Sequence, residues 1–185
     1  MKAYHIDRNN SLREDTFYSL DNKISVSPQF LEPLVNDFYP DGLSLHGKRY
    51  FSSPGNFAYI GTTIYENIFE YERKMYYPNN NSRYQSFFAV KEIKDLRKWI
   101  SVFSMKDLTK ISIWEIDTLE STIQEFDASF LIGGDLNSLV NFSPLVASYK
   151  AKKYWNGEIS DTPMKELLIY PEIKTLKRVA ISNFF

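Results

Sequence analysis

The chain has 185 residues, 43% hydrophobic, 24% charged and 16% aromatic, with 22 basic against 23 acidic side chains and no cysteine. That length can bury roughly 70% of the unfolded surface in one core, so a single domain over residues 1–185 is expected. The composition excludes disulfide scaffolds and cysteine-ligated metal centres, and two histidines, His5 and His46, exclude a multi-histidine metal site. No apolar run approaches the ~18 residues of a membrane span, and the start MKAYHIDRNN has no apolar stretch of a signal peptide. A soluble, cytoplasmic protein without a membrane partner is the expectation.

In chain order, Ala3–Ile6 reads as a first strand, and Ser11 to about Tyr18 as one or two helical turns. Ser27-Pro28 has the form of an N-cap followed by Pro at the first helical position, opening a helix that ends before Pro40. A stronger helix is predicted over roughly Thr63–Tyr76, with Thr63 and Glu66 at capping-box spacing and Ile64, Ile68, Tyr71 and Met75 as its apolar face. Pro78 and the Asn79–Asn81 run make a turn. Tyr84–Val90 then reads as an aromatic-rich strand. A charged helix with Ile93, Leu96 and Ile100 on one face follows, then a strand over Ile111–Ile116. Ser143-Pro144 repeats the cap signal before a helix to about Lys153. A polar loop, Asn156–Lys165, precedes strands near Leu167–Tyr170 and Ile173–Ile181. Short turns between the late strands favour a mixed α+β sheet over a parallel one. Seven glycines form neither GxGxxG nor GxxxxGKS, which argues against those nucleotide loops.

Charge is unevenly spread. Tyr71–Lys110 carries nine Lys/Arg against four Asp/Glu, whereas Ile111–Tyr149 carries six acids and no base. These blocks read either as solvated faces or as a phosphate-attracting face beside an acidic flap or partner surface.

Three segments carry chemistry. Tyr4-His5-Ile6-Asp7 places a histidine on the first strand just before a turn. Gly47-Lys48-Arg49-Tyr50-Phe51-Ser52-Ser53 offers a turn leading to an aromatic residue. Glu166 opens the run Glu166-Leu167-Leu168-Ile169 after a polar loop. Between them, Ser82-Arg83-Tyr84-Gln85-Ser86-Phe87 alternates small polar and large residues as if entering a strand. That pattern would put Ser82, Tyr84 and Ser86 on one face and Arg83 on the other.

In this order and spacing the motifs resemble the ADP-ribosyltransferase superfamily of the His-Tyr-Glu type, especially its branch of bacterial DNA- and RNA-targeting toxins. Asp7 stands where that branch often has Thr. The resemblance implies an α+β, ADP-ribosyltransferase-like split mixed β-sheet core flanked by helices, with NAD⁺ as substrate and no metal. His5, beside Tyr4, would bind a ribose hydroxyl, with His46-Gly47 as the competing His-Gly pair. Tyr50 would stack on nicotinamide, with Tyr59 and Tyr84 as competitors. Glu166 would be the catalytic carboxylate. Ser82, Arg83, Tyr84 and Ser86 would help to hold the dinucleotide, Arg83 through its pyrophosphate; the alternative for Arg83 is an ion pair with Glu66 or Glu70.

Members of the superfamily that modify protein arginine carry a second acid two residues before the glutamate, and this chain has Met164 there. Lys150, Lys152, Lys153 and Trp155 would form a basic, aromatic lip, which favours single-stranded nucleic acid over protein as acceptor. By resemblance such an enzyme is a toxin or anti-phage effector with an inhibitory antitoxin partner. Rival readings are an NAD⁺ glycohydrolase, an RNA 2′-phosphotransferase, for which two histidines are too few, and a non-catalytic binding module on the same fold.

Overall fold

The computed structural model describes residues 1–23, 25–52, 60–103, 111–131 and 143–180. Among the described residues the strands form two antiparallel sheets. The first comprises β1 (Lys2–Asp7), β2 (Phe17–Tyr18), β4 (Ser112–Asp117) and β7 (Ile173–Val179), in the order β1-β4-β7-β2. The second comprises β3 (Phe87–Ala89), β5 (Ile123–Asp127) and β6 (Lys165–Ile169), in the order β3-β6-β5. Ala3, Trp114, Ile116 and Ile173 of the first sheet pack with Phe87, Ala89, Leu167 and Ile169 of the second. An isolated bridge, Tyr4 with Val90, stitches the edge of one to the end of the other through two hydrogen bonds of 2.8 and 2.9 Å.

Among the described residues, five α-helices surround the sheets: α1 (Glu32–Phe38), α2 (Leu45–Phe51), α3 (Ile60–Tyr76), α4 (Leu96–Val102) and α5 (Pro144–Trp155). Helices α3 and α5 cover the second sheet through Phe69, Ala147, Ala151, Tyr154 and Trp155 against Phe126 and Leu168. Helix α4 packs Leu96 and Ile100 onto Ile111 and Ile113 near β1. Among the described residues no helix is long and apolar enough to cross a membrane.

Several local expectations change. Ser11–Tyr18 is not helical: Asp7 accepts hydrogen bonds from the backbone of Asn9 and Leu12, and Asn10 and Asp15 have positive φ, which a helix does not admit. Residues 29–31 form a 3-10 turn before α1, so Pro28 lies ahead of the helix rather than inside it. The segment Gly47–Ser52 is helical, with Ser44 as the N-cap of α2. Arg83–Gln85 is a 3-10 turn capped by Ser82, so the strand-like alternation over residues 82–87 fails. Strand β5 had no anticipated counterpart. Helix α3 starts at Ile60, which makes Thr63 an interior residue, not a cap. Of its expected apolar face, Ile68 packs against the core, but Ile64, Tyr71 and Met75 are exposed, while Tyr65, Glu66, Phe69, Glu70 and Arg73 are buried.

Among the described residues, three acids of the 111–149 block are paired with basic groups on the strands or at the N-terminus. Glu115 on β4 pairs with Lys2 of β1 and Lys177 of β7, Asp117 with the N-terminal amine, and Glu125 with Lys165.

Candidate functional site

A cavity of about 560 Å³, within the usual range of small-molecule sites, opens where β1, α2, α3 and α4 meet the residues around β3 and the start of β6. His5 and Glu166, from opposite ends of the chain, both line it, as do Tyr4, His46, Tyr50, Arg83 and Ser86.

His5 is fixed on β1. Its Nδ1 lies 2.6 Å from the carbonyl of Phe88, and its ring packs 4.4 Å from Phe87. A carbonyl only accepts, so Nδ1 carries the proton and Nε2 keeps a lone pair, suited to a ligand hydroxyl. Burial lowers the pKa of the ring, which holds it neutral.

Helix α2 supplies the next wall. Ser44 caps it, accepting from the Gly47 amide, and also donates to the carbonyl of Tyr84. Gly47 is required here, since a Cβ would sit 2.1 Å from that carbonyl oxygen. This close approach aims His46, Arg49 and Tyr50 at the cavity. The His46 ring packs against Tyr50 and Phe88 at 5.1 and 4.6 Å. Its Nε2 is buried, has no hydrogen-bond partner and lies 3.7 Å from Glu66 Oε1. Burial pushes the His46 pKa down to about 3 despite that neighbour. Burial also raises the pKa of Tyr50, so it remains a neutral phenol.

The electrostatic centre is Arg83, 4% exposed. Its Nε and Nη2 donate to the two oxygens of Glu66 on α3 at 2.7 and 3.0 Å. Its Nη1 donates to Glu166 Oε1 at 2.5 Å and to the Tyr154 hydroxyl at 2.9 Å, and that hydroxyl donates to the same Glu166 oxygen at 2.7 Å. The guanidinium lies 4.8 Å from the Phe88 ring centroid. Two buried carboxylates thus share one guanidinium, and they titrate differently. Burial would raise the pKa of Glu66, but the two-pronged contact with Arg83 outweighs it and the net shift is downward. Glu166, 2% exposed, is shifted upward because burial and the like charge of Glu66 exceed what Arg83 and Tyr154 return.

The remaining sequence candidates scatter. Ser82 caps the 3-10 turn and donates to Glu70. Tyr84 is a core residue whose hydroxyl donates to Asn67. Neither lines the cavity. Ser86 lines it but donates its hydroxyl to the carbonyl of Ser82. Arg83 adopts the ion-paired alternative with Glu66, while Glu70 pairs with Arg73. Trp155 is no surface lip: it is 3% exposed, with Nε1 donating to the carbonyl of Phe69. Lys153 is a surface residue paired with Glu158. Neither Trp155 nor Lys153 lines the cavity. Tyr59 lies outside the described residues.

Three residues of the cavity lining, Glu66, Arg8 and Arg49, are not among the site candidates of the sequence. The sequence offers Glu66 as a capping residue and as a candidate ion-pair partner of Arg83 but not as part of a cavity wall; it lies with Glu70 and Arg73 in a row of charges along one face of α3. Arg8 and Arg49 are the exposed guanidinium groups of the lining, Arg8 resting 4.3 Å from the Phe103 ring centroid. Among the described residues no group of three acidic, histidine or cysteine side chains is placed to hold a metal ion.

A family model described as "Protein of unknown function (DUF2441)" matches residues 3–181. No curated protein matches the chain.

Proposed function

The chain belongs to the DUF2441 family, and from that premise we propose that it is an NAD-dependent ADP-ribosyltransferase acting on a macromolecular acceptor. The observation that carries the reading is the convergence of His5 and Glu166 on one cavity of dinucleotide scale. In the reaction, the bond between nicotinamide and ribose breaks, nicotinamide leaves with the bonding electrons, and the acceptor nucleophile attacks the anomeric carbon and loses its proton. The developing oxocarbenium charge needs a nearby carboxylate, which Glu166 supplies through the ribose 2′-hydroxyl. His5 Nε2 accepts from a ribose hydroxyl, and Tyr50 offers a ring face to nicotinamide. Because Arg83 is consumed by Glu66 and Glu166, the pyrophosphate falls to Arg49 and Arg8 at the mouth.

Single-stranded nucleic acid remains the favoured acceptor over protein, with Lys152 and Lys153 kept and Tyr76 and Tyr149 in place of the buried Trp155. Exposed Tyr76 carries Lys152 at 5.2 Å and exposed Tyr149 carries Lys153 at 5.2 Å, a pairing of stacking face and cation that suits bases and phosphates. A toxin or anti-phage role held in check by an antitoxin accords with such chemistry.

The test is NAD⁺ labelled in its adenylate moiety, incubated with bulk RNA, DNA or protein. Label is expected to enter a macromolecule, and Glu166→Gln is expected to abolish transfer with the circular dichroism spectrum unchanged. Free ADP-ribose without a labelled acceptor would make the protein a glycohydrolase, and absence of NAD⁺ binding by calorimetry would overturn the reading.

A further inference from the structure

We propose that Arg83, anchored by Glu66, is a positioning residue that fixes Glu166 Oε1 at the cavity wall, so that the two carboxylates behave as one coupled pair around a single guanidinium. For its link to turnover the inference rests on the transferase reading; for its electrostatics it stands alone. Glu66 grips Nε and Nη2 in a two-pronged contact, which fixes the plane of the guanidinium and so the direction of Nη1. That nitrogen then holds Glu166 Oε1 together with Tyr154, and both bonds fall on the same oxygen. A second carboxylate oxygen, Oε2, is committed by neither bond, and Glu166 lines the cavity.

Among the described residues, the charged and titratable groups around Glu166 are Arg83, Tyr154 from α5 and Glu66 from α3; His46 of α2 faces Glu66 in turn. With one cation between two anions, removing either partner must move Glu166 in opposite directions. Loss of Arg83 strips its counter-charge. Loss of the Glu66 charge removes a repulsion and leaves the guanidinium to Glu166 alone. A purely packing role for Arg83 predicts no such opposition.

The test is a titration of the Glu166 δ-carbon by ¹³C NMR in the full, substrate-free chain. Arg83→Gln is expected to raise the Glu166 midpoint by at least one pH unit, and Glu66→Gln to lower it by a comparable amount. The double variant should fall between them. Movement in the same direction, or no movement, overturns the proposal. Where Arg83→Gln does not fold, Glu66→Gln decides alone: a lowered midpoint supports the coupling and an unchanged one ends it. The acid limb of kcat for NAD⁺ cleavage should follow the same two directions. If wild-type protein cleaves no NAD⁺ while the titrations move as expected, the transferase reading fails and the coupled pair stands.

Discussion

Gly47 shows how one missing methyl organises the cavity. Its backbone lies against residue 84 so closely that alanine would place Cβ 2.1 Å from the Tyr84 carbonyl oxygen, an atom already accepting from both the Ser44 amide and hydroxyl. Gly47→Ala must therefore push α2 outward, carrying His46 and Tyr50 with it. The expected cost is about 2–3 kcal/mol, read as a lowered urea midpoint, and under the proposed function NAD⁺ affinity falls in step. Single residues were the most legible part of the sequence: His5, Tyr50 and Glu166 were named from motif order, and all three line one cavity. Arg83 was legible only as a pair of alternatives, because a guanidinium fits a phosphate and two carboxylates equally well on paper.

Among helices and strands, periodicity locates α3 and α4 and the Ser143-Pro144 cap locates α5, but periodicity misjudges how α3 faces its neighbours. An apolar stripe at Ile64, Tyr71 and Met75 would ordinarily turn inward. Here the inward face carries Glu66, Glu70 and Arg73, because Arg73 satisfies Glu70 and Arg83 satisfies Glu66. A hydropathy pattern cannot foresee a buried ionic network whose other half lies outside the helix. The 3-10 turn at residues 83–85 was missed for a related reason, since alternation in a short window reads as a strand unless the Ser82 cap is known. Helix α5 illustrates the opposite case, where its end is core rather than surface. Trp155→Ala is expected to cost about 3–5 kcal/mol, measured by denaturant unfolding, by emptying the space between Phe69 and Phe126.

For the molecule taken together, pH is the informative variable. Both imidazoles are held below their ordinary value of 6.5 by burial, His46 down to about 3. Unfolding lets each recover that value, so between these limits the unfolded chain binds more protons and stability rises with pH. The stabilisation is complete above about pH 7 and declines as the pH falls through 6.5, earlier than carboxylates alone would allow. The expected loss for His46 is about 1–2 kcal/mol by pH 5, and His46→Gln should flatten that part of the stability curve. Asp127 acts lower down: its carboxylate accepts from the amides of Ser129, Ser160 and Met164, which holds its pKa to about 2. Its contribution is present above about pH 4 and disappears only as the pH falls through 2.

The Tyr4–Val90 bridge has a mechanical meaning. It is the clasp that keeps β1, which bears His5, flush with the strand end leading from Arg83, and it consists of two backbone hydrogen bonds and no side chain. Val90→Pro deletes the amide that donates to the Tyr4 carbonyl while leaving the side chains of His5, Tyr50, Arg83 and Glu166 chemically intact. The expected outcome is a protein whose secondary structure survives by circular dichroism but whose NAD⁺ affinity, on the proposed transferase reading, collapses, because the seam between the sheets gapes and the imidazole drifts from the carboxylate.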